Sequence, residues 1–584
     1  MMNDNVLPLV PYLCTDVYKV GHCSMYPHEM DTLYTNATPR SDSYFKGSKY
    51  YDHTSIYMGM QGLWQVIVKD WHINFFSVPR GTWLRIYRKH VAKIMNIPRS
   101  EVYTKHLEDL YDLGYLPLEI RQLPEGSSVP FKVPVMTVFN TVKGFGWLVN
   151  YFETIISAGL WRSCVAATIA REYRRVFEHY QQVTGGAEWF VDYQGHDFSY
   201  RGLSPFDAMY TSGGHLSVFK GTDTIPGILM LDNLYGTDDD DYVIGSSVMA
   251  SEHSVACANI EANKVKDPSL NTYEAERDFL RRYITKIVPT GIASYVSDTF
   301  DFFAVISRMA EELKAEILGR DGKTVFRPDS GCPVKILTGY RLMILDDSIS
   351  SRDVISADGT IIYNQAIAKR FDEVHADGTP LYEAISIKVH GVRRTFEVVQ
   401  DDTGMWCVGR ELDQYEVQGA VKTLWDIFGG TTNSKGYRTL DQHVGLIYGD
   451  SITIERAELI LGRLAENGFA SDNVVMGIGS YTYQYVTRDT LGYALKATAM
   501  RMKDNIDWVS LQKQPKTDTG LKRSAKGRLI VTGENGNYKL LDGMTDEEYE
   551  QNLHLDQMQL LFRDGQFDNL VTVEQLRERV AESF

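Results

Sequence analysis

The sequence predicts an α/β protein: an irregular parallel β/α barrel, a second α+β domain built from the N- and C-terminal segments, and an inserted subdomain. Three observations carry this. Short apolar runs at residues 291–298 (GIASYVSD), 324–331 (TVFRPDSG), 444–451 (VGLIYGDS) and 473–480 (NVVMGIGS) each close on Asp, Gly or Ser, and three of them lead into amphipathic helical sequence such as TIERAELILGRLAENG at 453–468. Buried parallel strands are nearly all apolar and gather functional groups at their C-terminal ends, which is this pattern. A doubly wound open sheet gives the same local rhythm. The N-terminal part instead reads as strand-like stretches broken by proline and glycine, and between 336 and 428 the rhythm stops altogether. The expected division is 1–185 with 505–584 as the α+β domain, 186–504 as the catalytic barrel, and 336–428 inserted within it.

Taken in order, TDVYKVGHCSMYP at 15–27 predicts a short helix with Asp16 as its N-cap and Pro27 closing it. Residues 32–38 and 55–60 read as strands, and 116–141 as strands broken by Pro124, Gly126, Pro130 and Pro134. From 147 to about 182, apolar spacing of three and four predicts helix. In the insertion, DDTG between TFEVVQ and MWCVGR signals a hairpin and the polar composition suggests a surface position; the segment could cover the rim, extend a dimer contact or decorate the surface, and the general tolerance of loops to insertion favours decoration. The tail crowds Lys513, Lys516, Lys522, Arg523, Lys526 and Arg528 ahead of strand-like RLIVTG. Such a run is a solvated face or a phosphate-binding loop.

Composition narrows the function. With 584 residues the chain exceeds the roughly 250–300 at which one core stops growing, so at least two domains are expected. A net charge of -16 argues against nucleic acid or an anionic membrane as the main partner, because phosphate-backbone affinity comes from Lys and Arg. Six cysteines without a CxxC pair write neither a zinc cage nor a disulfide framework and suit a reducing compartment. No run has the character of a signal peptide or is apolar enough to span a bilayer, so a cytoplasmic protein is expected.

Reactive residues are densest at 193–256, which reads YQGHDFSYRG, FKGTDT and SVMASEHSVA among its segments. His253 alone would be an ordinary hydrogen-bonded histidine. Its company changes that reading: Arg201 and Arg327 could grip a diphosphate, while Asp298, Asp329 and Asp450 each end a predicted strand where a ribose hydroxyl or Mg²⁺ could be held. Carboxylates at strand ends equally suit a glycoside hydrolase, although the arginines and basic tail fit that less well. The glycines of GIGSY at 477–481 and the TRD at 487–489 suggest a terminal-phosphate site.

Together, TDVYKVGHCSMYP, HDFSYRG, FKGTDT, SEHS, VSDTFD, FRPDSG, YGDS and the stretch from TRD to KRSAKGRL resemble the nicotinamide phosphoribosyltransferases, type II enzymes of the nicotinate/nicotinamide phosphoribosyltransferase family, in the same order. The resemblance covers nearly the whole chain except the insertion. It implies conversion of nicotinamide and 5-phosphoribosyl 1-diphosphate to nicotinamide mononucleotide and diphosphate, in NAD salvage, by a homodimer with shared active sites. It further implies that Phe198 and Tyr18 of the partner subunit sandwich nicotinamide, with Arg327 beside them, and that Asp223 accepts the carboxamide. Arg201, His253 and Arg327 would hold diphosphate; Asp329, Gly449 and Asp450 the ribose; Ser480 and Arg488 the 5-phosphate. Arg40, Lys496, Lys513 and Lys522 match further phosphate- or ATP-handling positions. Mg²⁺ and ATP are the implied cofactors, with His253 phosphorylated by ATP and Asp298 orienting its imidazole; His253, Asp298 and Asp329 would be the catalytic set. Two departures stand out: Ile478, Ser480 and Tyr481 replace part of a longer glycine run, and the insertion is added. The rival readings are a nicotinate phosphoribosyltransferase, distinguished at Asp223, and a non-catalytic binding protein on the same scaffold.

Overall fold

The computed structural model describes residues 10–347, 349, 354–355, 365–375, 378–449, 451–503, 505, 507–513 and 524–584. The chain divides into two compact units. Unit 1 comprises Met1–Arg175, Gly195–Ser246 and Gly479–Phe584; unit 2 comprises Val176–Gln194 and Ser247–Ile478.

Unit 1 is built on an antiparallel sheet that interleaves both ends of the chain. Its strand Met30–Thr38 pairs with Ala494–Met502 on one side and Met136–Asn140 on the other. Leu118–Gln122 and Gln559–Arg563 extend it. The threonines, tyrosine and leucine of MDTLYTNAT suit a pleated strand buried on both faces, and buried Asn36 is satisfied by donating to the Lys496 carbonyl at 3.1 Å. Asp16 does occupy the N-cap of a helical turn, Val17–Ser24, but the turn is 3-10 and its side chain makes no capping bond. It accepts instead from the Thr154 hydroxyl at 2.6 Å. The helical run expected from 147 resolves into Gly146–Tyr151 and the long Glu153–Thr184.

Unit 2 carries the parallel strands: β1 (Met249–Ala250), β2 (Thr290–Val296), β3 (Asp321–Arg327), β4 (Val444–Tyr448) and β5 (Val474–Gly479). They pair in that order, all parallel. The mixed α/β class is as expected, and the sheet is a curled half-barrel. Parallel pairing brings every C-terminal strand end to one edge. Asp298 follows β2 by two residues, Asp329 follows β3 by two, and Gly449 follows β4 directly.

Within 336–428 a separate four-stranded sheet runs Leu342–Ile344, Ala384–Val389, Val392–Gln400 and Trp406–Leu412. It has its own small core around Met343, Phe371, Ile385, Ile387 and Val398. The sheet is tied to the helix Ile454–Glu466 by a buried bidentate pair, in which the Arg463 guanidinium donates to both Glu383 oxygens at 2.7 Å. Burial alone would raise the Glu383 carboxyl, but Arg463 and the Arg341 amide outweigh it and hold it below its ordinary value. Arg463→Ala is expected to cost about 3–5 kcal/mol in chemical denaturation, because it strands a buried carboxylate. A depressed carboxyl contributes stability above its unfolded pKa of about 4.3 and loses it as pH falls through the folded value. The stability difference between wild type and Glu383→Gln should therefore shrink below about pH 4.

Candidate active site

In unit 2 the strand ends form one hydrogen-bonded group. His253 opens the helix His253–Lys266, and its Nε2 lies 3.0 Å from Asp298 Oδ1. The imidazole is half-exposed while the Asp298 side chain is only 7% exposed. Asp298 Oδ2 accepts from the amides of Asp329 and Ser330, each at 2.9 Å, and from the Ser330 hydroxyl at 2.5 Å. Burial would raise this carboxyl, but the Ser330 hydroxyl, the Asp329 amide and His253 hold it below the usual carboxylate range. It is therefore a fixed anion that accepts the imidazole N–H and defines which ring nitrogen faces outward.

Arg327, at the end of β3, is largely buried, with Nη2 donating to the Ser251 carbonyl at 2.6 Å and Nε 3.8 Å from Asp329 Oδ1. A guanidinium held this way keeps its direction when an anion arrives. Gly449 is a contact made by absence: a Cβ there would stand 2.1 Å from Asp329 Oδ1. The close approach lets the Asp329 carboxylate lie over the backbone at the end of β4. Asp450 lies outside the described residues, as does Lys522.

Unit 1 gathers the other expected residues. The strand Gly195–Phe198 pairs in parallel with Gly221–Thr222, and Asp223 follows, its amide donating to the Asp197 carbonyl at 2.9 Å. His196 Nε2 lies 2.9 Å from Asp223 Oδ1, and its ring centroid is 4.6 Å from that of Phe198. Exposed Arg201 sits on the turn Ser199–Gly202, which packs closely on Ser480: a Cβ on Gly202 would meet the Ser480 Cβ at 2.1 Å. Ser480 in turn starts the short helix Ser480–Gln484. The expected glycine-rich loop is here a strand end followed at once by helix.

Lys496 stands at the centre of a cluster of cations. Burial pushes its ammonium below the ordinary lysine value, and Arg40, Lys513 and Arg488 push it further, against the opposing pull of Glu153. Glu153 lies 3.8 Å from Lys496 Nζ and 2.7 Å from Lys19 Nζ. Four cations, with Glu153 near Lys496 and Asp489 3.4 Å from Arg488, leave a surplus of positive charge that favours an anion. Lys19 is buried, whereas the adjacent Tyr18 is 62% exposed, its hydroxyl donating to Asp16 at 3.2 Å.

Sequence reasoning missed Ser330, Ser251 and Glu153. Ser330 stands beside Asp329 at a polar strand end, a signal that could have found it. Ser251 and Glu153 act through a carbonyl and a helix position with no local mark. Among the described residues no cluster of three or more His, Cys, Asp or Glu could cage a metal. No described helix is long and apolar enough to cross a membrane.

Parallel strand ends bearing arginine and carboxylates in one unit, and a cluster of cations in the other, suit an enzyme that handles phosphorylated sugars. The description "Nicotinate phosphoribosyltransferase (NAPRTase) family" matches residues 193–566. The chain is 37% identical to "Nicotinamide phosphoribosyltransferase" of Acinetobacter baylyi over 98% of its own length and 97% of that protein. It is 29% identical to "Nicotinamide phosphoribosyltransferase" of Mycoplasma pneumoniae, covering 88% and 94%. A crystal structure of human Nicotinic Acid Phosphoribosyltransferase matches at a TM-score of 0.47 and 14% identity, over 97% of this chain and 93% of that one, too remote to inform the site. The chain belongs to the nicotinate phosphoribosyltransferase family and is a phosphoribosyltransferase.

Because a Cβ at 449 would displace the Asp329 carboxylate, Gly449→Ala should lower kcat/KM for the phosphoribosyl donor by about a hundredfold, the scale of a displaced substrate-positioning group. Steady-state kinetics with an unchanged circular dichroism spectrum would check it.

Proposed function

We propose that the protein makes nicotinamide mononucleotide and diphosphate from nicotinamide and 5-phosphoribosyl 1-diphosphate, in NAD salvage in the cytoplasm, with ATP as a stimulating co-substrate. The observation that carries the amide preference is Asp223, a strand-end carboxylate bonded to His196, whose ring lies against Phe198. An acceptor-only group welcomes a carboxamide N–H and repels the carboxylate of nicotinic acid. The relatives named nicotinamide phosphoribosyltransferase support the same reading.

In this mechanism Phe198 stacks the pyridine ring and leaves its nitrogen in line with the anomeric carbon. The C–O bond to diphosphate breaks with oxocarbenium-like character as the C–N bond forms. Arg201 and Arg327 stabilise the departing diphosphate, and Asp329 and Gly449, with Asp450, hold the ribose. Ser480 and Arg488 take the 5-phosphate, while Arg40, Lys496, Lys513 and Lys522 supply positive charge for ATP or donor phosphates. Mg²⁺ dehydrates reluctantly and binds largely through substrate phosphates plus one or two carboxylates; Asp329 fits that need, and the ion would neutralise charge on the diphosphate.

His253 is the proposed acceptor of the ATP γ-phosphoryl group. Its Nε2 hydrogen-bonds to Asp298, so Nδ1 is the atom assigned to attack, releasing ADP. The exposed apolar side chains of Tyr18, Val17 and Met25 fit a homodimer in which Tyr18 of one subunit completes the other's ring site.

With purified protein, donor and Mg²⁺, nicotinamide should be consumed far faster than nicotinic acid, and preference for the acid would overturn the assignment. Incubation with γ-labelled ATP should leave acid-labile label on the wild type and none on His253→Ala, which should also lose ATP stimulation. Unchanged product formation and ATP turnover in that variant would defeat the phosphohistidine mechanism.

A further inference from the structure

The parallel register in unit 1 sets His196 opposite Gly221 and Asp197 opposite Thr222. Side chains two residues apart share a face of a strand, so His196 and Phe198 fall together while Asp197 points to the other face. On the first face His196 Nε2 lies 2.9 Å from Asp223 Oδ1. Its ring meets that of Phe198 at a centroid distance of 4.6 Å and 42°. Gly221 makes room for this: a Cβ there would stand 2.9 Å from His196 Nδ1. The imidazole is thus laid across a glycine, with a carboxylate at one side and an aromatic ring at the other.

We propose that His196 is a positioning residue of the ring site, restraining the rotation of the Asp223 carboxylate and the seat of Phe198, and thereby strengthening the preference for a neutral carboxamide-bearing pyridine over an anionic one. This rests on the ring-site reading of Phe198 and Asp223 given above. The Asp223 side chain is 44% exposed and the His196 side chain 10% exposed. The terminal torsion of an aspartate is soft, and the 2.9 Å bond from His196 restrains it. An acceptor-only carboxylate requires the N–H at Nε2, and a charge-assisted bond from a buried ring fixes the acceptor before the ligand arrives. Selectivity follows because a fixed carboxylate presents acceptor density, and never a donor, to the ligand's substituent.

Three variants separate positioning from mere folding. His196→Leu removes the donor, Gly221→Ala displaces the ring, and His196→Gln keeps an N–H at comparable reach. The first two should raise KM for nicotinamide about ten- to hundredfold, the effect of losing one charge-assisted hydrogen bond. KM for 5-phosphoribosyl 1-diphosphate should stay within about threefold of wild type, and His196→Gln should recover most of the nicotinamide affinity. Unchanged nicotinamide KM in His196→Leu, equal shifts in both KM values, or no rescue by glutamine would overturn the proposal. A wild type that does not use nicotinamide would defeat the ring-site reading, and the geometry is then tested without turnover. In ¹⁵N-histidine spectra the His196 resonance, identified by its loss in His196→Gln, should move in Asp223→Asn; a resonance that does not move would overturn the bond itself.

Discussion

The carboxylate of Asp298 accepts from four donors at once: the imidazole of His253, the amides of Asp329 and Ser330, and the Ser330 hydroxyl. It can do so because β2 and β3 are parallel neighbours, with Val296 opposite Arg327, so the chain leaving one strand passes beside the chain leaving the next. A buried anion satisfied by several donors is stable as an anion, and it fixes whatever it binds. The direction of His253 and the backbone carrying Asp329 are therefore consequences of one hydrogen-bonded centre. Arg327 belongs to the same construction through the Ser251 carbonyl, and Gly449 through its close approach to Asp329.

A similar economy appears in unit 1, where carboxylates place cations and rings. Glu153 stands between Lys19 and Lys496, which links the segment carrying Tyr18 with the strand Ala494–Met502. The opposing pulls on Lys496, from Glu153 on one side and from Arg40, Lys513 and Arg488 on the other, describe a site with surplus positive charge. Bringing like charges together opposes folding unless an anion or solvent compensates, so such clusters serve ligands more readily than stability. In the insertion, the Arg463–Glu383 pair plays a structural part. Its sheet has a core of its own and is attached to the neighbouring helix by a buried ion pair.

Much of the framework was legible. The runs at 291–298, 324–331, 444–451 and 473–480 were recognisable because buried parallel strands leave a continuous apolar signature, and their polar ends stand out against it. The hairpin around DDTG was legible for the same local reason. Asp16 shows where local reasoning falls short: it has the right residue type and position for a cap, yet its carboxylate bonds to Thr154, more than a hundred residues away. His196 was read only as part of a motif, since nothing in HDFSYRG says that a glycine 25 residues later leaves space for its ring.

The sequence by itself determined the α/β class, the positions of the strands, and the chemical types gathered at their ends, because burial and turn preferences act over a few residues. Only the tertiary structure decided that His253 opens a helix facing Asp298, that Ser330 and Ser251 serve Asp298 and Arg327, that Glu153 bridges two lysines, and that Gly221 and Gly449 create room for their neighbours. Those facts depend on strand register and close approach between residues far apart in the chain, and a hydrogen bond or a missing Cβ at such a meeting leaves no mark on either local sequence.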